Sequence, residues 1–312
     1  MKKQNKLDNS RITKHLGQTS EYKDQYDPKL LVSEPRSNNR KHLDIRDDDL
    51  PFMGYDTWNA YEVSALTFNG LPVAGVAKVV YPCDSKYIVE SKSIKLYFNS
   101  FNMFKCGETP EDVMTRIDYL ATNDLSDLLE TRVEVKTQAA HSVPNGESVF
   151  GKKVYTTLES CFDPLETKRI HFDTYSETPE LLEMSPIDGE VNSREVRWHS
   201  SLLKSNCRVT SQPDWGDVYI MYKGHQHVDP ESLLKYVVSF RDECHFHEEI
   251  CETIYKRLHD VLLPEELIVT CLYARRGGID INPVRASHEH LIKQECEDLV
   301  MSVVPHHKTA KQ

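Results

Sequence analysis

The chain has 312 residues, 39% hydrophobic and 28% charged, with a formal net charge of −11. That length supports one large domain or two ordinary ones with a real core. No run approaches the roughly 18 apolar residues of a membrane span, and an acidic chain with no basic stripe points to a small-molecule ligand and not to direct nucleic-acid binding.

Residues 1–35 are polar, lack apolar periodicity and read as an arm. Their basic start has no apolar stretch of the signal-peptide kind, so the cytoplasm is the expected compartment. Residues 57–82 alternate apolar and polar positions, which predicts two strands joined at Asn69-Gly70. Residues 86–101 begin as a strand. Thr109 then reads as an N-cap with Pro110 at the first helical position, opening a helix through about residue 125, and residues 130–138 return to strand. Residues 141–190, with four prolines, read as a connection. Pro213 reads as a turn, like Pro82, and each proline is followed by Tyr-Ile and later by Ser-Phe. A helix over 247–262 and a strand over 266–276 then repeat the order of the first half. Self-similarity at this period predicts two duplicated α+β modules, 36–140 and 191–312, each an antiparallel sheet carrying helices on one face.

Eight cysteines occur with no Cys-x-x-Cys pair, so free thiols are expected, most of them small buried hydrophobes. Cys207 precedes Asp214 by seven residues. A thiol attacks only as the thiolate, and an acid nearby could accept or deliver a proton. By itself the pair fits equally a buried cysteine and a turn-capping aspartate. His247 and Glu248 stand where the second helix begins, a common place for a capping carboxylate. Glu90 ends an apolar strand run and is followed by Lys92 and Lys95; Arg275, Arg276 and the pair Gly277-Gly278 suit a phosphate or a plain turn. Cys207, Cys244, His245 and His247 lack the spacing of a zinc site, so no metal is expected.

Taken together, "ESKSIKLY", "SNCRVTSQPDWG", "FHEE" and "RRGGIDINP" resemble the NADPH-dependent 7-cyano-7-deazaguanine reductases of queuosine biosynthesis, in their long two-module form. The motifs stand in the family's order and the likeness runs from about "LGQTSEYKDQYDP" to "DINP". The resemblance implies two tandem tunnelling-fold (T-fold) modules and a homodimer. It implies that Cys207 attacks the nitrile carbon to form a covalent thioimidate, with Asp214 as proton donor. It implies substrate contacts from Val89, Glu90, Ser91, His247 and Glu248, and NADPH contacts from Ser91, Lys92, Arg276 and Gly277. Two carboxylates suit the guanine-like edge, which offers an amino group and ring N–H groups as donors. The alternatives are a GTP cyclohydrolase-like enzyme on the same fold and a non-catalytic purine-binding protein.

Overall fold

In the computed structural model of the chain, residues 25–139, 153–161, 170–185, 192–208 and 212–300 are described. The first half opens with β1 (Ser33–Pro35) and α1 (Ser37–Arg40), followed by the long hairpin of β2 (Met53–Thr67) and β3 (Pro72–Pro82). Its turn has Gly70 at φ +89°, a conformation that suits glycine. Next come β4 (Tyr87–Val89), α2 (Ser91–Asn99), β5 (Lys105–Gly107), α3 (Pro110–Leu129) and β6 (Glu134–Ala139). Thr109 caps α3 as expected, in a capping box with Asp112. The second half holds β7 (Thr156–Thr157), β8 (Arg194–Ser200), β9 (Lys204–Cys207), β10 (Pro213–Gly224), α4 (Pro230–Ser239) and β11 (Cys244–His245). It ends with α5 (His247–Leu262), β12 (Glu266–Tyr273), β13 (Ile279–Ala286) and α6 (Glu289–Val300).

One sheet crosses both halves in the order β11-β9-β10-β12-β13-β2-β3-β6. The seam is the antiparallel pair β13–β2, in register from Ile279↔Ala60 to Ala286↔Met53. Polar residues of "DINP" hold it. Asp280 accepts from Asn59 Nδ2 at 2.7 Å, Tyr61 Oη at 2.8 Å and Asn282 Nδ2 at 2.7 Å. Buried carboxylates need such partners.

The apolar faces follow period two. Val218, Ile220 and Tyr222 of β10 and Leu267, Val269, Cys271 and Tyr273 of β12 pack with α4 and α5. The intervening Met221, Ile268 and Leu272 pack with Leu291, Ile292, Cys296 and Leu299 of α6. The expectation of helices on one face is therefore corrected: α6 covers the opposite face, which is why β12 is buried on both sides. α2 and α3 cover the first-half strands in a separate core with Trp58, Val79 and Tyr81.

Two further expectations change. Pro213 opens β10, pairing with Asn206, so no turn lies there. The strand expected from residue 86 stops at Val89, because Glu90 caps α2. That three-residue strand pairs with β1 outside the large sheet. The segment read as a polar arm packs from its described start: Leu31 is buried, and Tyr26 donates to Asp124 at 2.6 Å.

Beneath the sheet lies a charge network that the sequence did not disclose. Arg36 pairs with Asp56; Arg285 reaches Asp56 at 2.9 Å and Glu252 at 3.0 Å; Arg40 reaches Glu252 at 2.9 Å. All five residues are at most 2% exposed. Groups so deep persist only when paired.

Candidate active site

The register of β9 and β10, with Ser205 opposite Asp214, makes Cys207 and Asp214 diagonal neighbours on one face of the hairpin. Cys207 N–H donates to the Gln212 carbonyl at 2.8 Å, which fixes this end of the pair. Strand parity, not a turn, accounts for the seven-residue spacing. On the other side of β9, β11 runs parallel and sets His245 opposite Cys207.

These side chains line a cavity of about 330 Å³ that both halves build. The first half contributes Trp58, Val89, Ser91, Lys92 and Lys95; the second contributes Cys207, Asp214, His245, Phe246, His247, Glu248, Arg276 and Gly277. Of the site residues that the resemblance implies, Glu90 alone is not in the lining, although both its neighbours are; Arg275, Gly278 and Cys244, also singled out in the sequence, lie outside it too. That volume suits a small heterocyclic ligand.

Glu90 occupies the N-cap of α2, a position usually filled by a shorter side chain. Its Oε2 accepts from Ser93 N–H at 2.7 Å. Its Oε1 is buried and, among the described residues, has no hydrogen-bond partner. Glu248, in the first turn of α5 and 1% exposed, likewise has a buried Oε1 without a partner. Burial pushes the Glu248 carboxyl up to about 8; Asp56 adds to the rise, while Arg36 and Arg285 oppose it. Two buried acceptor atoms left unsatisfied beside one cavity indicate a ligand bearing donors.

Asp214 is 3% exposed and held by Arg276 and His247. Arg276 Nη1 pairs with Oδ1, and His247 Nε2 lies 3.6 Å from Oδ2. Burial raises its pKa, but His247 and then Arg276 outweigh burial and hold the carboxyl below the usual range. The His247 ring is set by Tyr273, ring centroids 4.0 Å apart.

At the mouth, Arg276 and Ile279 bracket a two-residue turn, with Arg276 N–H donating to the Ile279 carbonyl at 2.9 Å. Gly277 and Gly278 both take positive φ, +57° and +79°, as a tight hairpin of this kind requires. A Cβ on Gly277 would lie 2.9 Å from Lys95 Nζ. Lys92 Nζ is buried and, among the described residues, has no hydrogen-bond partner.

Two of the lining residues not expected in this role carry polar side-chain atoms. His245, weighed in the sequence only as a metal ligand, sits between Glu243 Oε2 at 3.2 Å and Glu249 Oε2 at 3.3 Å. Burial opposes its charge, yet these two carboxylates raise its pKa to about 9. Trp58 is 1% exposed, and its Nε1 has no partner among the described residues. Nothing in its strand pattern separates it from an ordinary core tryptophan. Among the described residues no three His, Cys, Asp or Glu side chains group as metal ligands.

Residues 22–137 match the family model described as nitrile reductase, 7-cyano-7-deazaguanine-reductase N-term, and residues 213–291 match the model described as QueF-like protein. The NADPH-dependent 7-cyano-7-deazaguanine reductase of Legionella pneumophila (strain Corby) is 40% identical over 87% of this chain and 89% of its own. The enzyme of the same name from Rickettsia akari (strain Hartford) is 38% identical over 88% of this chain and 93% of its own. The chain belongs to the family of NADPH-dependent 7-cyano-7-deazaguanine reductases.

Proposed function

We propose that the chain reduces the nitrile of 7-cyano-7-deazaguanine to the aminomethyl group with NADPH, as a step of queuosine biosynthesis. The observation that carries this reading is one cavity lined by a cysteine, an acid on the same face of the hairpin and the buried Glu248, with Glu90 beside it, each glutamate having an unpaired oxygen.

Cys207 Sγ adds to the nitrile carbon. The thiol proton ends on the nitrile nitrogen, giving a thioimidate, and Asp214 is the group that carries it. The covalent step makes the carbon a better hydride acceptor. NADPH supplies two hydrides per nitrile, because nitrile to amine is a four-electron change. The site must admit one proton per hydride, and Asp214 with His247 forms the route. The thiol is restored when the first reduced adduct expels it as an imine. Glu90 and Glu248 accept from the ring N–H and amino groups, flanked by Val89, Ser91 and His247.

The residues at the mouth fit a dinucleotide. The N-terminus of α2, with Ser91, Lys92 and Lys95 in the lining, offers backbone donors and two cations to phosphate. Gly277 and Arg276 complete that rim. The unpaired Lys92 ammonium is the observation that favours an anion there.

The order of β2, β3, α2, α3 and β6 followed by β10, α4, α5, β12 and β13 supports a tandem pair of tunnelling-fold modules, 36–140 and 191–312. A homodimer in the cytoplasm, acting on the free base and not on nucleic acid, completes the reading.

The test is to mix the purified chain with 7-cyano-7-deazaguanine and NADPH and follow the reduced-nicotinamide absorbance. Two NADPH consumed per nitrile, with none consumed by Cys207→Ala, is the expected result. Consumption by Cys207→Ala at a substantial rate overturns the covalent mechanism.

A further inference from the structure

The proposed acid of the reaction is ion-paired to a residue of the proposed cofactor rim. Arg276 holds Asp214 Oδ1, yet the arginine side chain is 41% exposed and the aspartate 3% exposed. Arg276 is carried on the glycine turn, where Gly277 and Gly278 present no side chains to hinder its movement. The other groups facing Asp214 sit deeper or are fixed by packing. Cys207 comes from β9, His247 and Glu248 from α5, and Tyr273 from β12, while Lys92 and Lys95 of α2 line the same cavity, Lys95 against the Gly277 turn.

A phosphate arriving at the mouth competes with Asp214 for this guanidinium. It carries more charge than a carboxylate and can take both N–H groups of the fork. We infer that Arg276 couples cofactor binding to proton delivery: the dinucleotide phosphate draws the guanidinium away from Asp214 and so frees Asp214 to hold the proton it must donate. This rests on the reading that Arg276 contacts NADPH. The sign follows from the pair. Arg276 is, with His247, what holds the Asp214 pKa down, so its departure raises that pKa. Asp214 relays the Cys207 thiol proton to the nitrile nitrogen without keeping it, whereas the proton that accompanies each hydride is held there only once the hydride donor is bound.

The test reads Asp214 directly. Protein labelled with ¹³C-aspartate is titrated by infrared spectroscopy, with Asp214→Asn subtracted, in the absence and presence of saturating NADP⁺. Calorimetry follows NADP⁺ binding in parallel. The expected result is a rise in the Asp214 midpoint of ~1 unit or more with NADP⁺, the size lost with one adjacent opposite charge. In Arg276→Met the midpoint is already raised and NADP⁺ moves it no further. NADP⁺ that binds the wild type without moving the midpoint overturns the coupling and leaves the proposed function standing. An equal shift in Arg276→Met also overturns it, because phosphate would then act on Asp214 directly. Failure of the wild type to bind NADP⁺ overturns the reading beneath it and the coupling together.

Discussion

At the scale of single residues, the two unpaired carboxylate oxygens make separable predictions. Glu90→Gln replaces an acceptor by an amide that cannot receive donors at both positions, so nitrile affinity should fall roughly ten- to hundred-fold while NADPH affinity stays within a few-fold. Titration calorimetry with each ligand checks this, and equal losses for both contradict the role given to Glu90. Glu248 predicts a pH dependence. Its carboxyl, pushed up to about 8, is largely protonated at neutral pH, and a ligand bringing N–H donors needs it ionised. Nitrile affinity should therefore rise with pH up to about 8, with proton release on binding near pH 7, and both effects should vanish in Glu248→Gln. Calorimetry in buffers of different ionisation heat measures the released proton. Cys207, Asp214, His247 and Arg276 were legible through their motifs and not through spacing alone. Seven residues between a cysteine and an acid decide nothing until the register Ser205↔Asp214 puts both on one face. His245 was misjudged because its nearness to Cys207 depends on the parallel pairing of β11 with β9, which no local pattern encodes.

At the scale of elements, His245 staples the catalytic hairpin to the start of α5. Glu249 receives the His245 ring at 3.3 Å, the Phe246 N–H at 3.0 Å and Arg208 Nη1 at 2.9 Å. The His245 pKa is raised to about 9 from an ordinary value of 6.5, so its contribution is complete below pH 6.5 and is lost as pH rises through 9. Relative to His245→Gln, the wild type should lose its extra thermal stability across that window, as scanning calorimetry at several pH values would show; a constant difference would mean that the charge is not the cause. The cap of α3 is a contrasting case. Thr109→Ala should cost about 1 kcal/mol in denaturant unfolding and leave kcat/KM unchanged, since the capping box lies outside the cavity lining. That cap was readable from Thr109 and Pro110 because both signals are local. The face chosen by α6 was not, since its amphipathic pattern is satisfied by either side of a sheet whose central strands are buried on both faces.

At the scale of the whole molecule, the cavity exists only because the two halves share a sheet. Val89, Ser91 and Lys92 come from one half and Cys207, Asp214 and Glu248 from the other. The seam at β13–β2 and the network of Arg36, Arg40, Asp56, Glu252 and Arg285 fix their relation. Removing one member strands its partner, so Arg285→Met should cost about 3–5 kcal/mol of stability. A chemical denaturation series checks this, and a loss under 1 kcal/mol would mean that the pairing energy only balances the desolvation of its charges. Much of the order of strands and helices in each half was visible as local patterns. The network was not, because its members lie in segments more than 200 residues apart whose charges look like ordinary surface charge.

The most direct measurement is intact mass after mixing the protein with 7-cyano-7-deazaguanine alone, without NADPH, followed by peptide mapping. A single adduct of one nitrile on Cys207, discharged on adding NADPH and absent in Cys207→Ala, is the predicted result. No adduct on a protein that nonetheless consumes NADPH, or an adduct on another cysteine, would contradict the account.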